Sequence, residues 1–81
     1  MPTISITEEI RAEILKDVAG EGGFQELMRR LQRGLNGLSL YVEDEDIPKI
    51  RRYAEDYKEG GFEDRLKPLL DHLRALGLMD E

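Results

Sequence analysis

Eighty-one residues, 40% of them apolar and 37% charged, make a single small domain spanning 1–81, folded but with a thin core. The absence of Cys removes disulfides and thiolate zinc sites as supports. No apolar run is long enough to span a membrane, and the first residues lack the basic and apolar regions of a signal peptide, so a cytoplasmic protein without a membrane partner is expected. The net charge of −6 disfavours nucleic acid and anionic lipid on average. It also hides two basic clusters, Arg29, Arg30 and Arg33 in one and Lys49, Arg51 and Arg52 in the other.

In chain order, residues 3–6 are β-prone and predict a short strand. Thr7 is a good N-cap, and Glu8 and Glu9 suit the positive end of a helix that places Ile10, Ile14, Leu15 and Val18 on one face. Gly20 and Gly22 can end it in a left-handed conformation. The second helix is the clearest: Phe24, Leu27, Met28, Leu31 and Leu35 form one stripe. Asn36-Gly37 signals a turn, and residues 38–42 predict a strand pairing with 3–6 in a two-stranded ribbon. Asp44 or Asp46 caps a third helix with Pro48 in its first turn and Ile47, Ile50, Tyr53, Ala54 and Tyr57 on its buried face. Phe62, Leu66, Leu69, Leu70, Leu73 and Leu76 continue at helical spacing to Gly77, and Pro68 predicts a kink or break among them.

One segment occurs twice: Glu21-Gly22-Gly23-Phe24 returns as Glu59-Gly60-Gly61-Phe62. Paired glycines permit a tight turn, and each Phe then enters the core between two helices. The expected fold is therefore mainly α: four helices in two pseudo-repeated hairpins, with a minor two-stranded ribbon. It reads as a β-α-α unit used twice, over 3–37 and 38–77. The segments have neither the glycine spacing nor the Lys-Ser or Lys-Thr of a phosphate loop, so they read as turns of the fold.

No catalytic, cofactor or metal site is expected. His72 is the sole histidine, and neither Ser5 nor Ser39 has a nucleophile context. The acidic run Glu43-Asp44-Glu45-Asp46 fails as a calcium loop, because Lys49 stands where the glycine must be and Pro48 at a ligand position. The polar face of the second helix carries more: Gln25, Arg29, Gln32, Arg33 and Asn36 lie opposite the apolar stripe. Arg, Gln and Asn read base edges in a major groove, which allows a helix-turn-helix reading. The −6 charge and the scarcity of further cations for phosphate place nucleic acid behind two other readings, a solvated face paired with acids of the neighbouring unit and then a protein-binding face. Arg51, Arg52, Tyr53 and Tyr57 are a second candidate anchor, of residue types that dominate hot spots.

The pattern Arg52-Tyr53-Ala54-x-Asp56-Tyr57-x-x-Gly60-Gly61-Phe62-x-x-Arg65-Leu66, with Gly22-Gly23-Phe24-Gln25-x-Leu27-x-Arg29-x-Leu31-Gln32 before it, is similar to that of small bacterial and prophage-encoded proteins. The resemblance spans most of the chain and brings no site residue with it; it implies a host-interacting or regulatory role. The expectation from the sequence is a non-enzymatic, acidic interaction protein, an adaptor or inhibitor docking on a protein partner. The alternatives are a helix-turn-helix nucleic-acid binder and a structural homodimer whose core closes across a two-fold axis.

Overall fold

The structure, a computed structural model, describes residues 3–56 and 60–78, with the side chains of residues 56 and 60–64 outside that description. It begins with strand β1 (Thr3–Ser5) and helix α1 (Glu8–Leu15). Thr7 caps α1 as its sequence demands, its hydroxyl accepting a hydrogen bond from the Ile10 amide at 3.2 Å. The helix ends at Leu15, earlier than the apolar spacing to Val18 predicts. Its last carbonyls are taken by side chains from elsewhere: Gln32 and Arg65 both donate to the carbonyls of Ile14 and Lys16. Val18 packs on the core from the connecting segment.

Gly20 and Gly22, at φ +84° and +146°, shape the entry into helix α2 (Gly23–Arg33). Phe24, Leu27, Met28 and Leu31 of its stripe are buried as spaced. Leu35 leaves the helix and starts strand β2 (Leu35–Asn36), which turns through Gly37 (φ +61°) into strand β3 (Ser39–Tyr41). The sheet therefore has three antiparallel strands in the order β1-β3-β2, where the sequence predicted two. The expected pairing is present, with Thr3 opposite Tyr41 and Ser5 opposite Ser39. The additional strand exists because the Tyr41 amide donates to the Gly34 carbonyl at 2.9 Å, folding the end of α2 back along β3.

A single 3₁₀ turn (Asp44–Asp46) leads into the short helix α3 (Ile47–Arg51), whose last turn relaxes into a π-helical segment, Arg52–Asp56. Neither Asp44 nor Asp46 caps α3 through its side chain; the Asp46 carboxylate is engaged by Arg30. Helix α4 (Gly60–Ala75) then runs continuously through Pro68, against the predicted kink or break. An interior proline costs roughly 3 kcal/mol. An unbroken helix keeps Leu66, Leu69, Leu70 and Leu73 wholly buried on one face. At about 1.5–3 kcal/mol per buried leucine, that stripe outweighs the lost bond.

The two halves are not built alike. Gly22 turns outside α2, whereas Gly60 and Gly61 are the first two residues of α4. The first half closes with β2, while the second has a short α3 and a π segment. Tyr57, Glu59 and the ring of Phe62 lie outside the described residues. One apolar cluster joins every layer: Ile4 and Leu40 from the sheet, Ile10 and Ile14 from α1, the α2 stripe, Ile50 and Ala54, and the α4 leucines.

Candidate binding face on the second helix

The polar residues of α2 divide into those that hold the fold and those that remain outward. The Gln32 amide donates to the carbonyls of Ile14 at 3.0 Å and Lys16 at 3.1 Å. Arg29 donates to the Gly20 carbonyl at 2.8 Å. Gln25 folds back beside Gly22. Two of the five predicted face residues, Arg29 and Gln32, thus fasten the segment after α1 onto α2, and Gln25 lies beside it. Asn36 sits in β2, off the helix altogether. Arg33 is exposed and makes no hydrogen bond or ion pair among the described residues. Arg29 spends a single donor on a neutral carbonyl and keeps its charge outward.

The second predicted cluster is not brought onto this surface as a unit. Arg51 pairs with Glu55 at 3.2 Å, and Arg52 is exposed on the π segment. Tyr53 lies at the core edge, its ring 5.5 Å from Phe24 in an edge-to-face contact. Its hydroxyl occupies the space where a side chain at Gly23 would begin, 2.5 Å from a Cβ placed there. This explains the second glycine of the first Gly-Gly-Phe: Gly23 admits Tyr53, and Phe24 stacks against it. Tyr57 lies outside the described residues.

Arg30 organises the face, although nothing in the sequence distinguishes it from the arginines beside it. Its guanidinium meets Asp46 with two parallel bonds, Nε to Oδ2 and Nη2 to Oδ1, both 2.9 Å. The Asp46 side chain is 4% exposed and that of Arg30 33%. Lys49 stands 3.7 Å from the same carboxylate. The Asp46 hydrogen bond raises the Arg30 pKa, so the guanidinium keeps its charge. Around it run three adjoining hollows. One, of about 260 Å³, is lined by Leu31, Arg33, Gly34, Tyr41 and Glu43 beside the ion pair. A second is lined by Glu26, Arg29 and Arg33, and a third by Glu43, Glu45 and Lys49. Burial raises the Tyr41 phenol, and Glu43 and Asp44 raise it further, so it stays protonated as a donor.

The three hollows, about 260, 330 and 310 Å³, lie at the lower edge of the roughly 300–1,000 Å³ of sites that enclose a small molecule. Open hollows of mixed charge suit contact with another surface. His72 is committed elsewhere: its Nε2 meets the Ser5 carbonyl at 2.6 Å, tying α4 to the end of β1. It touches Ser5 through the backbone, with the hydroxyl uninvolved, and since a carbonyl only accepts, Nε2 carries the proton. Among the described residues no group of His, Asp and Glu is placed to hold a metal ion, and no helix is long and apolar enough to cross a membrane. Comparison with protein-family models, with curated proteins and with solved structures finds no match.

Proposed function

We propose that this chain is a non-enzymatic protein-binding module that docks on a partner through the arginine surface of α2. The observation that carries the reading is the outward pair Arg29 and Arg33 beside the locked Arg30–Asp46 pair. It puts guanidinium donors and a tyrosine next to shallow hollows, the residue types that anchor interfaces. Base reading by α2 is less well supported. Gln32 and Gln25 are turned onto the 16–22 segment, Asn36 is in a strand, and the acids Glu43 and Glu45 line the adjoining hollow.

The test is retrieval from the source organism with wild-type protein and with the Arg29→Ala/Arg33→Ala variant side by side. A protein captured by the first and missing from the second is the expected outcome. Equal capture by both would remove this face from the reading. Retention of random duplex DNA at low salt, lost in the same variant, would move it to nucleic acid.

A further inference from the structure

The charges around Arg30 and Asp46 change sign across that pair. On one side lie Arg29 and Arg33 with Glu26, and Arg33 also lines the hollow it shares with Glu43 beside the pair. On the other lie Glu43 and Glu45, relieved by Lys49, which is already held near Asp46. Arg33 and Glu45 are both exposed, and neither makes an ion pair among the described residues. A patch with opposite signs on its two halves is complementary to itself after rotation by 180° about its midline. That is the condition an isologous two-fold interface must meet.

We infer that a second copy of this chain docks on this face. The two-fold axis passes beside the Arg30–Asp46 pair, and Arg33 of each copy lies against Glu45 of the other. Each contact then occurs twice. The firmly bonded central pair supplies a fixed reference, since neither Arg30 nor Asp46 must reorganise to meet its counterpart. The monomer carries −6, so copies repel at long range. That repulsion is screened beyond about 8 Å at physiological ionic strength, whereas pairs in contact are screened less. The dimer is therefore weak and reversible, tightest at intermediate salt, and lost in molar salt. The inference stands whether or not a different protein also uses the arginine surface.

Sedimentation equilibrium of the full chain over micromolar to millimolar concentration tests it, with circular dichroism confirming that each variant folds. Wild type is expected to approach twice the monomer mass. Arg33→Glu and Glu45→Arg should each weaken dimerisation by about tenfold or more, since each converts two attractions into two repulsions. An equimolar mixture of those two variants restores opposite charges at both contacts and should dimerise again, as should the double variant. A monomer throughout the range, or a dimer that ignores both charge reversals, would overturn the inference. So would an open-ended series of larger species. None of these outcomes depends on the retrieval experiment, so either reading can fail while the other survives.

Discussion

Single residues decide where this chain tolerates no change. Gly34 has ordinary helical backbone angles, so its identity is set by space: a Cβ there would lie 2.5 Å from the Tyr41 carbonyl oxygen. That oxygen is backbone and held by the sheet, so it cannot swing aside. Gly34→Ala should cost about 1–3 kcal/mol, read as a lower denaturation midpoint at constant slope. Gly37→Ala meets no neighbour, and its penalty comes from its positive φ alone. The Arg30–Asp46 pair predicts an asymmetry. Loss of Asp46 leaves an arginine that is one-third exposed and can turn to water, while loss of Arg30 leaves a carboxylate that is 4% exposed with only Lys49 nearby. Arg30→Met should therefore cost about 2–3 kcal/mol and Asp46→Asn about 1, a difference that urea titration resolves. An equal cost for the two would mean that Lys49 compensates fully.

Individual elements show which signals in the chain are local and which are not. Thr7 and the α2 stripe are local: a hydroxyl reaching three residues ahead and a 3.6-residue period need no knowledge of the rest of the fold, and both are realised. The end of α1 is decided by Arg65 and Gln32, about fifty and 16 to 18 residues away, so apolar spacing alone overran it. Strand β2 was hidden because Leu35 fits a helical stripe as well as it fits a strand. Of the site, Arg29 and Arg33 were legible as outward cations, whereas Arg30 required knowing that Asp46 folds back onto α2. The π segment and α4 are joined by another such pairing, Arg74 to Glu55 at 2.8 Å, with Arg51 alongside. Hydrogen bonds from Arg74 and then Arg51 hold the Glu55 carboxyl below the usual glutamate range. A lowered folded-state pKa stabilises the fold above the unfolded value of about 4.3 and loses that contribution as pH falls through the lowered one. Wild type and Glu55→Gln should thus differ in stability at pH 7 and converge in acid, measured by thermal unfolding across that window. A constant gap between them would show that the pairing is not linked to folding.

At the scale of the whole molecule, the repeated Gly-Gly-Phe invites the idea of two self-sufficient hairpins, and the contacts that close the core speak against it. Strand β1 belongs to the first half and pairs with β3 of the second. Arg65 of the second half holds the last carbonyls of α1 and lies 5.9 Å over the ring of Phe24. Arg30 reaches across to Asp46, and His72 to Ser5. Each half of about forty residues would also lie near the size below which a domain rarely stands without external support. Separately made peptides 1–37 and 38–81 should each lack cooperative unfolding, because severing the chain removes the pairing of β1 and leaves the apolar faces of α1 and α4 in water. Mixed, they should recover helical signal and a single transition, since every contact named here joins one half to the other and none needs the covalent link between them. Recovery would be concentration-dependent, as association replaces an intramolecular closure by a bimolecular one. If either peptide unfolded cooperatively by itself, the repeat would be an autonomous unit and these cross-half contacts would be secondary to its stability.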